Sequence, residues 1–266
     1  MNYFKNRRFL LDFSEELRRE RPLLNNFEVS DELMRKIVLM EEMSKIQGSV
    51  YSLFDFLKGE YLFHTRNFQV LTGYISELPL GKIKDIYTLF VPERRTVDKY
   101  IDLVRKVFAL LDEEEKTELR TAVVGGVLEN LNHTKFRCCY IARPLTFDPN
   151  GNVEISFDSL SDVQSLLAKE PGFWIRFSTP KRVFHWHSHS NRFVPKEIVL
   201  RRELEILLLW KKGLTIPEIA RALELSVFTV KNQLANLRKR LLVRDNTSAI
   251  QLCLRTGIIK DSLGFQ

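Results

Sequence analysis

The sequence predicts an α+β protein: an antiparallel-sheet part with interspersed helices, followed by an all-α C-terminal part. Three observations carry this. Short apolar runs bounded by turn residues recur in pairs as far as His187. From residue 197 onward the apolar positions instead repeat at three and four residues, the helical period. Charge divides at the same place. The first 195 residues hold 28 Lys and Arg against 27 Asp and Glu, and the remainder holds 13 against 7. A nearly neutral front and a basic tail suggest a polyanionic partner for the tail alone.

Taken in order, residues 1–47 read as an N-terminal helical segment. In it "DELMRKIVLMEEMSKI" (31–46) places Leu33, Ile37, Met40 and Met43 on one face, with Asp31 as cap and Gly48 as stop. "SVYSLFDF" and "EYLFHT" read as a hairpin turning at Lys58-Gly59. "NFQVLTGY" and "IKDIYTLF" follow, then one long helical pattern, "VDKYIDLVRKVFALLDEEEKTEL" (97–119). "KFRCCYIARPLTF" and "NVEISFDSL" read as strands joined by "DPNG", and "GFWIRFS" with "KRVFHWH" as a last hairpin around Thr179-Pro180. The polar stretch 188–192, ahead of Pro195, reads as a linker. It separates a sheet domain over 48–190 from a helical domain over 196–266.

The helical domain opens with "ELEILLLWKKG", stopped by Gly213. "TIPEIARAL" follows, with Thr215 and Glu218 spaced as a capping box and Pro217 in the first turn, where amides lack intrahelical partners. Only "ELS" separates it from a third helix capped by Ser226, and so short a turn forces a steep crossing. In "SVFTVKNQLANLRKRLLVR" (226–244), Val230, Leu234, Leu237 and Leu241 form a single apolar stripe. The stretch carries five basic residues and no acidic one, whereas a merely solvated helix normally mixes Glu with its Lys and Arg. Thr229, Lys231, Asn232, Gln233 and Asn236 lie off the stripe near the start. Arg238, Lys239, Arg240 and Arg244 crowd the other end. Short polar groups near the N-terminus and long cations beyond suit a helix lying in a major groove, with bases read first and phosphates gripped after.

The run from "LEILLLWKKG" to "LCLRTGII" resembles the LuxR/GerE-type helix-turn-helix domain over roughly 60 residues without a gap. The carrying features are "EIA", "S-x-x-TVKN", the exit "RKRLLVR" and a fourth helix "TSAIQLCLRTGI". The resemblance implies a four-helix DNA-binding domain on double-stranded DNA, with the fourth helix packing a homodimer. It implies Thr229 and Lys231 at backbone or base edges, Asn232 and Asn236 facing the groove, and Arg244 on a phosphate. Thr215, Ser226, Phe228, Gln233, Lys239 and Arg240 complete the expected contact set. Two residues depart from the pattern. Gln233 stands where His is frequent and keeps hydrogen-bonding capacity, while Leu242 stands where Gly is frequent and must adopt the backbone angle Gly would supply.

The order hairpin, helices, strand hairpin, with "GEYLFHTRNFQVLTGY" and "DPNGNVEISFDSLSDVQ", resembles a PAS-type sensor domain over about residues 48–165. An insertion-like helical stretch lies near 97–131, and residues 172–187 would be an added hairpin. Such a domain implies dimerisation, protein contact or a small-molecule ligand. The cofactor is unspecified: "NFQVLTGYISELPLGK" lacks the Cys of flavin-linked light sensors, and His64 or His133 alone is a weak haem ligand. A haem- or flavin-bearing redox or gas sensor with protein-contact output is the rival reading.

Other patterns exclude themselves. No early acidic pair follows an apolar strand, so a phospho-receiver is not expected. On a strand His185, His187 and His189 would point to one side, but no Cys or carboxylate adjoins them to complete a metal site. "VVGG" (123–126) lacks the rest of a P-loop, and no catalytic triad or H-E-x-x-H occurs, so no enzyme is expected. Cys138 and Cys139 should point to opposite faces of a strand and Cys253 sits alone, which offers no disulfide framework. No apolar run is long enough to span a bilayer and no signal peptide is evident, which points to the cytoplasm.

Overall fold

The computed structural model describes residues 31–55, 60–73, 94–130, 132–148 and 151–259. The expected turn at Lys58-Gly59, the stretch "IKDIYTLF", the centre of "DPNG" and the segment before Asp31 lie outside them. The elements run α1 (Asp31–Gln47), β1 (Val50–Asp55), β2 (Glu60–His64), α2 (Phe68–Thr72), α3 (Arg94–Phe108), α4 (Glu113–Thr117), β3 (Arg120–Glu129), β4 (Lys135–Phe147), β5 (Val153–Asp162), β6 (Trp174–Ser178), β7 (Val183–His187) and β8 (Arg192–Val194). Four helices close the chain: α5 (Arg201–Lys211), α6 (Ile216–Ala222), α7 (Val227–Leu241) and α8 (Asn246–Arg255). The eight strands are hydrogen-bonded in the order β2-β1-β5-β4-β3-β6-β7-β8, and the expected α+β class holds. Among the described residues no helix is long and apolar enough to cross a membrane.

The chain divides into two compact units. The first comprises the described residues within 31–118, 127–136 and 142–162. Here β1 pairs antiparallel with both β2 and β5. Side chains alternate across a strand, so Tyr51 and Leu53 face one way and join Ile37 and Met40 of α1, with Phe63, in one apolar cluster. The other face mixes buried polar groups with Val50 and Phe54. Ser52 stands opposite His64 and Asp158 in register, and Phe54 opposite Ser156. Ser52, His64, Ser156 and Asp158 are all buried, and the Ser156 hydroxyl donates to Asp158 at 2.9 Å.

The single helix expected over 97–119 is two. Asp112 accepts from the Glu115 N–H at 2.7 Å while the Glu115 carboxylate accepts from the Asp112 N–H, and this capping box starts α4 afresh.

The second unit comprises residues 119–126, 137–141 and 163–259 of the described chain. The stretch 188–192, expected to be linker, is the β7–β8 turn and the first residue of β8: the Asn191 N–H donates to the His187 carbonyl at 2.8 Å, with Asn191 at φ +48°. Gly125 explains the unassigned "VVGG". Its φ is +90°, and a Cβ there would stand 2.5 Å from the Gly172 carbonyl oxygen. That carbonyl accepts from the buried guanidinium of Arg137, which also holds Ala168 O at 2.6 Å. Cys138 and Cys139 are both buried, because the sheet is covered on both faces here. The apolar cluster of this unit is continuous. Val124, Cys139, Leu166, Leu167 and Trp174 pack with Ile206, Leu207, Ile219, Val230, Leu237, Leu241 and Leu252 of the four helices.

Candidate nucleic-acid interface

Helices α6 and α7 form from local signals. The Glu218 carboxylate accepts from both the N–H and the hydroxyl of Thr215, at 2.7 and 2.6 Å, and these bonds hold its pKa below the ordinary value. Helix α6 ends at Leu223, and Glu224 at φ +54° turns the chain within two residues toward Ser226. Ser226 accepts from the Thr229 N–H at 3.0 Å, and the two hydroxyls lie 2.8 Å apart. Both side chains are thereby occupied in starting α7.

As its spacing predicts, α7 buries Val230, Leu234, Leu237 and Leu241. The opposite side is exposed along Phe228, Asn232, Ala235 and Lys239, with Lys231 and Asn236 beside it. Ala235 belongs to this stripe although its side chain offers no chemistry that would single it out. Counting i, i+4, i+7 from Phe228 finds it. Among the described residues the side chains of Lys231, Asn232, Gln233, Asn236 and Lys239 make no hydrogen bond or ion pair. A groove of about 310 Å³ runs along this helix, lined by Phe228, Thr229, Asn232, Gln233, Asn236 and Arg240 with Leu200 and Glu203 of the α5 start. Thr215, at the α6 start, does not line it.

The remaining cations differ from those. Arg240 forks onto Glu203 at 2.6 and 2.8 Å and holds the Ile198 carbonyl at 3.0 Å, while the Glu203 side chain is only 1% exposed. Arg238 donates to Asn246 at 2.6 Å. Arg244 is exposed, and among the described residues its side chain bonds Asp245 alone, at 3.1 Å.

The exit of α7 is bound to the strands and loops before it. The Trp174 indole donates to Leu241 O, Ala168 N–H to Leu242 O and Arg244 N–H to Leu166 O, at 3.2, 2.8 and 3.1 Å. Leu167 bridges to Val243. His187 Nε2 donates to Arg240 O at 3.0 Å while its Nδ1 accepts from the His189 N–H at 3.2 Å, so the ring is held as the neutral Nε2–H tautomer. Burial pushes the pKa values of His187 and His185 below the ordinary value, assisted by positive neighbours that include Arg240. His185 Nδ1 and His189 Nε2 bond the Lys196 and Pro171 carbonyls. Among the described residues no group of His, Cys, Asp and Glu could hold a metal ion.

Residues 200–253, which carry all of α5, α6 and α7, match the family described as GerE, bacterial regulatory proteins, luxR family. The C-terminal helices are a LuxR-family domain. Leu242, placed where this domain often has Gly, is at φ +59° and ψ +33°, the left-handed conformation that a Gly would take without strain. The chain is also 38% identical over 64 residues to the response regulator protein VraR of Staphylococcus aureus, covering 24% of this chain and 31% of that protein. It thus spans about a third of the length of the curated relatives it matches. Among solved structures, a phage VqmA–DPO complex aligns at 16% identity over 85% of this chain and 90% of that one, with a TM-score of 0.35. A PAS domain from Colwellia psychrerythraea aligns at 13% identity over 51% and 99%, also at 0.35. The LuxR-family match of α5 to α7 carries the assignment.

Proposed function

We propose that the chain is a sequence-specific, DNA-binding transcription regulator of the cytoplasm that grips duplex DNA as a homodimer, with 196–266 as the DNA-binding module. A PAS-like domain over 48–190 supplies the sensing or dimerisation part and takes a small-molecule ligand. The observation that carries the reading is the exposed face of α7. Lys231, Asn232, Gln233, Asn236 and Lys239 stand there without protein partners among the described residues, on a helix whose other side is locked into the LuxR-family core. Amides without partners near the start suit base edges, and cations suit phosphates. Thr215, Ser226 and Thr229 add helix starts whose N–H groups favour anions. What supports a ligand in the front domain is the buried polar row Ser52, His64, Ser156 and Asp158 on one face of β1, β2 and β5.

The test is selection of bound sequences from a random duplex pool, followed by titration against the enriched site. Lys231→Ala and Arg244→Ala weaken binding to all duplexes and flatten the salt dependence, by about 0.9 in the log–log slope for each phosphate no longer neutralised. Asn232→Ala changes sequence preference more than non-specific affinity. The complex at saturation holds two chains per site. Unchanged affinity in both cation variants would sink the docking.

A further inference from the structure

We infer that Phe228 is a specificity-determining residue that reads the 5-methyl group of thymine in the bound site. The inference rests on the DNA-binding reading above and names what one side chain of that face recognises.

Phe228 is 73% exposed, and its neighbours Val227 and Leu200 are 40% and 44% exposed. Among the described residues its ring has no aromatic partner, and it stands outside the apolar cluster that anchors α7. Scattered exposed apolar residues are ordinary on a protein surface. This one is not scattered. It begins the outward stripe Phe228, Asn232, Ala235 and Lys239, and it lines the same groove as Asn232, Gln233 and Asn236. Removing water from an aromatic ring is favourable against an apolar group and unfavourable against a bare polar edge. In the major groove thymine's 5-methyl is the one apolar group the bases present, and Phe is among the side chains that contact it.

The spacing limits where that thymine falls. Asn232 stands four residues beyond Phe228, about 6 Å along the helix axis. Stacked base pairs are about 3.4 Å apart, and a helix inclined to the DNA axis spans fewer of them, so the two side chains meet bases within about two steps of each other. Asn matches adenine through its N6 and N7 atoms. The half-site therefore carries a thymine within about two steps of the position governed by Asn232.

Deoxyuridine lacks only the 5-methyl group. Starting from the duplex enriched by selection, each thymine of the half-site is replaced singly by deoxyuridine, and binding is measured for the full chain and for Phe228→Ala and Phe228→Leu. The expected result is one replacement that weakens the unmodified protein about fourfold, the equivalent of one buried methyl group. It lies within about two steps of the position where Asn232→Ala loses preference. Phe228→Ala abolishes that penalty and Phe228→Leu keeps part of it. Both variants melt with the unmodified protein, since the ring is exposed. Equal affinity for every deoxyuridine duplex, or an undiminished penalty in Phe228→Ala, overturns the inference while DNA binding stands. A pool from which no duplex is enriched overturns the DNA-binding reading and the inference together.

Discussion

The indole N–H of Trp174 on β6 donates to the carbonyl oxygen of Leu241, the last residue of α7, at 3.2 Å. Both side chains are fully buried in one apolar cluster. A helix's last carbonyls lack intrahelical donors, and here Arg240, Leu241 and Leu242 find theirs in His187, Trp174 and Ala168. The outward helix is therefore stabilised by residues that precede the LuxR-family segment. Trp174→Phe, which keeps the ring but orphans a buried carbonyl, costs about 1–3 kcal/mol. Trp174→Ala costs about 3–5 kcal/mol. Thermal melts followed by circular dichroism measure both. A fragment holding only 196–266 melts well below the full chain, because it uncovers Leu241 and Leu242.

Arg240 separates from the other cations of α7 by the same reasoning. Its guanidinium neutralises Glu203, a carboxylate with almost no exposure. Arg240→Ala leaves that buried charge without a counter-ion, although the Leu200 N–H still donates to it, and costs about 3–5 kcal/mol of stability. Lys239→Ala leaves stability within about 0.5 kcal/mol, as surface substitutions usually do. The contrast is read in denaturant titrations without DNA. In DNA titrations Lys239→Ala then flattens the salt slope, while Arg240→Ala acts by reducing the amount of folded protein.

Acid weakens the same exit. His187 uses Nε2–H toward Arg240 O and needs a free lone pair on Nδ1 for the His189 N–H, so a second proton breaks one of its two bonds. Burial, with positive charge from His189, His185 and Arg240, keeps its pKa below the ordinary 6.5. The unfolded chain then binds protons that the folded chain refuses. Stability is complete above about pH 6.5 and falls as pH drops below it, toward the lower folded value. Melting temperature against pH shows this slope, and His187→Gln, which keeps a donor but cannot titrate, flattens it. An unchanged slope in that variant would assign the effect to His185 or to carboxylates.

The parts legible in the sequence are those where a local period coincides with burial. Val230, Leu234, Leu237 and Leu241 are buried as their spacing requires, and Ser226 caps where a short polar residue precedes an apolar run. Strands β4 to β7 are legible for the same reason, since their turn residues punctuate them. What escapes a reading of the sequence depends on distant partners. Strand β3 (Arg120–Glu129) falls within the stretch near 97–131 that reads as a helical insertion, and Gly125 at its centre is required by the Gly172 backbone lying against it. Lys239 and Arg240 look alike as letters, and only the buried Glu203, 37 residues away in sequence, sets them apart. Trp174 and His187 carry no helix-exit signature, because a carbonyl acceptor leaves none.

Leu242 gives the last and sharpest expectation. It is left-handed at φ +59°, a conformation that costs a β-carbon about 1–2 kcal/mol, yet its side chain is only 2% exposed. Replacement by Gly relieves the backbone but empties the site of a leucine, whose removal costs about 2–5 kcal/mol. The net effect is a destabilisation of up to about 4 kcal/mol. Replacement by Ala sacrifices nearly the same packing and keeps the strain, so Ala is less stable than Gly by about 1 kcal/mol. The order Leu, Gly, Ala inverts the usual advantage of Ala over Gly beside a helix. Urea denaturation of the three proteins decides it, and Ala more stable than Gly would show that position 242 relaxes out of the left-handed region.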